Sequence, residues 1–484
     1  MTINLSSPAQ QRLGPAARVV PPVGTAPQTL PPGAAVRRPA AVDLLLIAVS
    51  TCILTYAWRV QDLFPLLAKV KLPILATLGM YGLYAMTSDR RRKLRSVVHP
   101  VTKCLIVIMA LAVASVPTSL YKGMSFGFIK DDLGKSFLLM IILAASVRAL
   151  EDVRRYVAAV VAGAAIYAGY VYLYVDVGIS GRLGDLAYYD ANDLGMLMVC
   201  TLPLATYFVI RGRTPFARIA SVLATGIFLL VIVKSGSRGA FLGLIGFGLY
   251  LLLGYSAIPK KLRVGAVIAC FLGLLLAGNE TYWSMMRTIL NPSEDYNWSG
   301  NSESGRMEVW KRGIGYMLRR PLTGVGARAF PVAEGQLSPL AERQQYGMGV
   351  KWSAAHNSFV EIGAELGVFG LITFVLLLVH AYKAARGVSP GSARDERASD
   401  AVFLGQALAG TIVGYVICGF FLSQAYAAYM FIIYGLIVGL AKATGSAPTS
   451  AQKMARAPRV QRRAGVADPS LPIGVRLEWE RRSS

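Results

Sequence analysis

"KSGSRGAFLG", residues 234–243, lies between two long apolar runs, 219–233 and 240–256. Its centre is an arginine among small residues. A charge at bilayer depth costs about 2.5–3.5 kcal/mol on insertion scales, and glycine and serine weaken a helix around them. Arg238 therefore belongs to a turn at the edge of an apolar layer, where one membrane helix ends and the next begins.

The rest of the chain repeats that pattern. Of 484 residues, 54% are hydrophobic and only 16% charged, whereas soluble domains carry about 25% charged residues. A helix crosses a bilayer with about 20 apolar residues. Apolar runs lie near 42–58, 72–87, 101–117, 136–150, 156–177, 193–210, 219–233, 240–256, 264–279, 358–382, 401–422 and 428–441. The expected fold is an all-α polytopic membrane protein with about twelve transmembrane helices. Nine lie in 42–279 and three in 356–442, with an outer loop, 280–355, between them.

The net charge of +24 would suggest a nucleic-acid partner in a soluble protein. Here membrane orientation accounts for most of it, and no nucleic acid is expected. With the N-terminus inside, the cytoplasmic loops carry about twice as many Lys and Arg as the short outer loops, and "DRRRKLR" (89–95) is the most basic. The positive-inside rule then puts both termini in the cytoplasm. Residues 1–41, rich in Pro and Ala, lack the apolar core of a signal peptide and read as a disordered tail. Residues 443–484, with Arg456, Arg459, Arg462 and Arg463, read as a basic tail able to meet anionic membrane lipids. The five cysteines, Cys52, Cys104, Cys200, Cys270 and Cys418, all fall in apolar runs and read as small core residues.

The outer loop is about 75 residues long, far beyond ordinary connections. It contains "SGRMEVWKRGIGYMLRRPLTGVGARAF" (304–330). Met307, Trp310, Ile314, Met317 and Leu318 recur at helical spacing as one apolar face; Lys311, Arg312, Arg319 and Arg320 supply polar surface. Ser304 suits an N-cap, Pro321 stops the helix and "GVG" (324–326) turns the chain. An interfacial helix on the outer leaflet is expected.

Few residues can carry chemistry. Of the three histidines, His99 and His380 belong to the cytoplasmic side. His356, in "AAHNSFVEIGAELG" (354–367), stands where the long loop re-enters the membrane. Arg238 has a plain reading as an interface arginine snorkelling to lipid phosphate. Its functional reading is an anion clamp, because guanidinium presents a planar fork to phosphate oxygens. Gly236, Ser237 and Gly239 would let a phosphate approach the backbone and the next helix N-terminus. Gly239, Gly243 and Gly246 also suit close helix packing. Arg306 precedes the interfacial helix on the same side. Asp185, Asp190 and Asp193, in "GDLAYYDANDLG" (184–195), read as a capped helix start rather than a metal cluster. No P-loop, HExxH or outer DxD motif is present, so neither metal nor cofactor is expected.

Four stretches, "SGSRGA" (235–240), "GRMEVW" (305–310) with "RPLTGVG" (320–326), "HNSFVEIGAELGVFG" (356–370) and "DANDLG" (190–195), resemble in order and spacing the bacterial O-antigen ligase and polymerase superfamily over about 185–375. The resemblance implies a metal-independent glycosyltransferase of the GT-C type. Its donor is a glycan carried on undecaprenyl diphosphate at the periplasmic face of the inner membrane; its acceptor is lipid A–core or another glycan. It also implies that Arg238 and Arg306 hold the diphosphate and that His356 activates the acceptor. The long tails depart from many ligases of the group.

The chemistry of these residues agrees. A lipid diphosphate leaves as a stable anion, so charge stabilisation matters more than protonation, and arginines supply it without a metal. The acceptor hydroxyl must lose a proton, which suits a histidine with an ordinary pKa near 6.5. Ligase and polymerase differ only in acceptor. An anion transporter is a rival reading, but it predicts internal repeats and polar groups near the midplane, neither of which is visible. A scaffolding protein predicts no concentrated outer polar set.

Overall fold

The computed structural model describes residues 43–178, 181–184, 188–292, 305–339, 341, 353–388 and 396–445. Both tails, apart from Asp43 and the residues up to 445, lie outside them, as do Asp185 and Ser304. The contact pattern separates Met1–Asp43 from Leu44–Ser484, and every element below belongs to the second unit.

Each apolar run lies on a helix. These are α1 (Leu44–Tyr56), α2 (Leu72–Ala85), α3 (Pro100–Ser115), α4 (Gly134–Ser146), α5 (Leu150–Tyr174), α6 (Ala191–Arg211), α7 (Pro215–Ser235), α8 (Arg238–Gly254) and α9 (Lys260–Ala277). The long loop contributes α10 (Glu280–Arg287) and α11 (Arg306–Arg319); α12 (Ser358–Arg386), α13 (Glu396–Gly419) and α14 (Ala428–Ala443) complete the bundle. Among the described residues there is no strand, only an isolated bridge between Val177 and Leu183.

The expectation of twelve spans is met only in part. Among the described residues, six helices, α3, α5, α6, α7, α12 and α13, are long and apolar enough to cross; α9 and α10, bent by 115°, make a seventh if counted as one span. α1, α2, α8 and α14 are apolar but shorter. With 13 residues in α1 and 17 in α8, they reach about 20–26 Å against a hydrocarbon core of about 30 Å.

α6 and α13 form the centre: 78% of each apolar window is buried, against 33% for α3 and α7. Glycine sets the close approach of α8 to α13. A Cβ on Gly243 would overlap Cys418 Sγ, and one on Gly246 would overlap Ile417 Cδ1. The end of the bundle where α6 finishes is locked by a buried ion pair. Arg154 donates to Asp400 Oδ2 at 2.7 Å, and Tyr207 donates to Asp400 Oδ1 at 2.9 Å. His99 caps α3 near this end, its Nδ1 accepting from Val101 N–H at 3.2 Å. Burial, with His380 nearby, lowers its pKa to about 4.

α12 is not the continuous span expected for 358–382. It breaks at Gly367, whose φ is 73° and ψ −170°. The break frees backbone groups that an apolar layer cannot leave unpaired, and the "RPLTGVG" turn satisfies them. Val325 N–H donates to Ala364 O at 2.8 Å and Gly326 N–H to Glu365 O at 3.1 Å, while Val368 N–H reaches Pro321 O at 2.8 Å. Gly324 and Gly326 turn with φ of 63° and 107°. The second segment of α12, 368–386, is about 19 residues long, enough to cross alone. The first, 358–366, is a half-helix that follows the long loop.

The long loop also differs from expectation. It holds three described helices, α10, α11 and Phe330–Leu337, rather than one interfacial helix. α11 starts from Gly305 with no side-chain cap; the expected Ser304 cap lies outside the described residues. The face that packs overlaps the expected apolar face only in part, sharing Trp310 and Met317. α11 buries Val309, Trp310, Gly313 and Tyr316 and docks on α12, where a Cβ at Gly313 would overlap Val360 Cγ1. Ile314 and Leu318 stay exposed. A salt bridge fixes the same helix to Phe330–Leu337: Arg312 donates to Glu334 Oε2 at 2.6 Å, and Tyr316 donates to Oε1 at 2.8 Å.

Candidate functional site

α6, α8 and α12 begin at the same end of the bundle, each with a side-chain N-cap. Asp190 Oδ1 accepts from the N–H groups of Asn192 and Asp193, both at 2.7 Å. Ser237 Oγ accepts from Ala240, and Asn357 Oδ1 from Phe359 and Val360. Asp190 thus does what its position in "DANDLG" suggested. Gly195 lets α6 press on the turn before α8: a Cβ there would lie 2.8 Å from Ala240 Cβ, 3.0 Å from Ser235 Oγ and 3.3 Å from Ser237 Cβ. The partial positive charge of two helix N-termini is therefore held side by side.

Arg238 opens α8 and donates to Thr288 Oγ1, just beyond α10, at 2.8 Å. A second arginine stands beside it. Arg182 donates to Ser235 O at 3.2 Å and to Asn192 Oδ1 at 2.6 Å. Burial lowers its pKa, Asp190 opposes that, and the neighbouring charge of Arg238 lowers it further. The two guanidinium groups are thus close enough to repel.

The two glycines around Arg238 differ in how closely they are packed. Gly236, at φ 58°, faces Arg182 Cγ and Met285 Cε, which a Cβ would meet at 2.9 and 3.2 Å; a Cβ at Gly239 would meet Phe421 at 3.4 Å. Gly236 is therefore closely packed, whereas at Gly239 a side chain would make only ordinary contact.

His356 meets the turn between α13 and α14, and so do Trp310, near Arg306, and Gly239, next to Arg238. His356 N–H donates to Ser423 Oγ at 2.8 Å, and Ser358 Oγ donates to Leu422 O at 2.7 Å. Trp310, one helical turn after Arg306, donates from its indole to Ala355 O at 2.9 Å. Its ring meets Phe420 edge-on at 5.3 Å, and Phe420 meets Phe421 at the same distance. The segment 420–424 thus joins the surroundings of all three expected residues.

Sequence reasoning passed over a second group on this end. Glu361 and Glu365, one turn apart on the half-helix that opens α12, are buried to 4% and 1% exposure. Glu365 accepts from Arg328 N–H at 2.7 Å and Phe330 N–H at 3.1 Å; Glu361 accepts from Ala425 N–H at 3.1 Å. Arg328 Nη1 stands 3.9 Å from Glu361 Oε1. Arg328 and His356 both hold positive φ, 62° and 46°, a conformation costing a non-glycine residue about 1–3 kcal/mol and typical of functional sites. The signal that could have found the glutamates was in the sequence: two carboxylates four apart at the start of an apolar helix are costly there and mark function by default. Arg182 and Arg328 carry no such signal.

The fold is that of a polytopic helical membrane protein with a cation-rich end. Residues 195–375, which include Arg238, Arg306 and His356, match the family model described as O-antigen ligase. The match supports a likeness of this segment to the O-antigen ligase and polymerase superfamily. No curated protein matches the chain.

Proposed function

We propose that this protein is a ligase that moves a glycan from undecaprenyl diphosphate to an acceptor hydroxyl on lipid A–core or a similar glycan. The reaction takes place at the periplasmic face of the bacterial inner membrane. One observation carries this reading: Arg182 and Arg238 are held side by side at the adjoining N-termini of α6 and α8. Two like charges at a helix-dipole end are costly together, and a diphosphate between them turns the cost into binding.

In the proposed step the acceptor oxygen attacks the anomeric carbon, and the bond from that carbon to the phosphate oxygen breaks. The electron pair leaves with the lipid diphosphate. Arg238 and Arg306, assisted by Arg182, meet the charge that develops there. His356 takes the acceptor proton. The arginines carry this task without a metal ion, and the reading needs no cofactor. The ligase choice rests on the family match; a polymerase would use the same donor and differ in acceptor.

The test is transfer by the purified protein, in vesicles, from an undecaprenyl-diphosphate glycan in excess chelator. Lipid A–core and a lipid-linked repeat unit are offered as acceptors in separate reactions. Transfer to lipid A–core with EDTA present is expected. Elongation of the repeat unit alone would make the enzyme a polymerase, and no transfer to either acceptor would end the reading. Activity lost to EDTA and restored by a divalent ion would overturn the arginine-only mechanism.

A further inference from the structure

The loop carrying Arg328 is built to hold one residue in an unfavourable backbone conformation. Both peptide groups before it are pinned: Ala327 N–H donates to Ser115 Oγ at 3.1 Å, and Ala327 O accepts from Ser125 Oγ at 2.7 Å. Ser125 is itself bonded to Ser119 at 2.7 Å, and all three serines are buried. The next N–H groups, those of Arg328 and Phe330, close on the Glu365 carboxylate. Glycine would take φ of 62° without strain. An arginine stands there instead.

Its side chain is 54% exposed. The guanidinium passes over the Phe128 ring at 5.9 Å and comes to 3.9 Å from Glu361. Its charge also acts on Asp193, at the start of α6, and on Glu365. These three carboxylates come from two helices, and Glu361 lies within range of both Glu365 and Asp193. Like charges brought together from α6 and α12 push the two helix ends apart unless a cation lies among them. Glu361 then leads to the loop that holds His356. Glu361 accepts from Ala425 N–H. Ala425 follows Gln424 and Ser423, and Ser423 holds His356 N–H.

We propose that Arg328 is a positioning residue: it ties its loop to the half-helix that opens α12, through Glu361 and Glu365, and so fixes the 423–426 turn that places His356. It rests on the glycan-transfer reading for the consequence, though not for the geometry. Arg328 touches neither donor nor acceptor in this proposal, and its strained backbone is retained because the charge is needed at that point.

The experiment compares Arg328→Gly, Arg328→Lys and the double variant Arg328→Gly/Glu361→Gln with the full-length wild type in vesicles. Transfer kinetics and hydrogen exchange of the amides in 420–428 are both measured. Arg328→Gly removes strain as well as charge, so its melting temperature should equal or exceed the wild-type value. Its kcat should fall at least tenfold with the donor KM within twofold, and exchange in 420–428 should quicken at least threefold. Arg328→Lys should recover most of both losses. The double variant should recover part, because removing Glu361's charge removes the repulsion left uncompensated. Unchanged exchange in Arg328→Gly overturns the proposal whatever the kinetics; combined with lost transfer, it would make Arg328 a substrate contact instead. Faster exchange in a wild-type background that transfers nothing would leave the bridge standing and sink the glycan-transfer reading alone.

Discussion

The two ends of the bundle use the same residue types in opposite ways. Where α6 finishes, Arg154 meets Asp400 at 2.7 Å, Tyr207 completes the carboxylate at 2.9 Å, and Arg211 Nη2 donates to Ser399 Oγ at 2.6 Å. Opposite charges are matched, and the Arg154 side chain is 8% exposed. Where α6 begins, like is set beside like: Arg182 beside Arg238, and Glu361 beside Glu365 and Asp193. Two non-glycine residues there, Arg328 and His356, hold left-handed backbone. The first end is arranged as folding alone would arrange it. The second breaks local rules that stability favours, and such violations concentrate where function is served.

If that contrast is right, mutations at the two ends should separate stability from activity. The largest effect is expected from Asp400→Ala, which leaves Arg154 buried without its carboxylate. Removing one partner of a buried pair costs about 3–5 kcal/mol, so thermal unfolding should show a large loss of stability, while the surviving folded fraction keeps near-normal specific activity. Arg238→Lys should do the reverse. It keeps the charge and loses the fork, and losing one electrostatic donor costs about 10²–10³ in rate, or about 2.7–4 kcal/mol, with the melting temperature nearly unchanged. His356→Ala should bind the lipid-diphosphate donor normally and fail in transfer. Were Asp400→Ala to abolish activity in folded protein, or Arg238→Lys to melt the bundle, the division between the ends would collapse.

Much of this contrast was legible in the sequence, but not the part that makes the end where α6 begins unusual. The apolar runs located the helices because burial in an apolar layer needs only composition and length. Asp190, Ser237 and Asn357 cap their helices locally, so their positions could be read from neighbouring residues. The break at Gly367 could not, because nothing before it says that "RPLTGVG", some forty residues away, will bond the freed carbonyls. The docking face of α11 was misread in part for a similar reason. Its spacing shows that a face exists, but Val309 and Gly313 rather than Ile314 and Leu318 meet α12, and only the partner decides that. Arg182 and Arg328 acquire their neighbours through contacts 53 and 37 residues distant, so no local pattern marks them.

The end where α6 finishes also makes a prediction about pH. His99 is buried there, and its pKa is lowered to about 4, by burial first and by His380 second; an unfolded histidine titrates near 6.5. Above about pH 6.5 neither state binds the proton, and stability is full. As the pH falls from there towards 4, the unfolded chain takes up a proton that the folded one refuses, so stability declines by an amount on the order of 3 kcal/mol. His99→Asn keeps a capping side chain for α3 and removes the titration. The melting temperature of this variant should fall less steeply between pH 6.5 and 4 than that of the wild type. Parallel curves would show that this end gains nothing from holding the histidine neutral.

The smallest effect tests how tightly the end where α6 begins is set. Gly195 lies in α6 against the turn that presents Arg238, and an alanine Cβ there would come within 2.8 Å of Ala240 Cβ and 3.0 Å of Ser235 Oγ. Two terms then oppose each other. Alanine is favoured over glycine in a helix by about 0.8–1.0 kcal/mol, while the crowding forces α6 and α8 apart by a few tenths of an ångström, at a cost of similar size. The melting temperature of Gly195→Ala should therefore stay close to the wild-type value. The separation between the two N-termini should not, and with it the fit of a diphosphate to Arg182 and Arg238; a several-fold weaker donor KM is expected. Gly226→Ala is the control. It lies on α7 with nothing within 4 Å of the added Cβ, so it receives the helix gain without the crowding and should leave the donor KM unchanged. Equal donor KM values for the two variants would mean that the α6–α8 junction tolerates displacement, and the placing of Arg182 beside Arg238 would then lose its claim to be the feature that binds the donor.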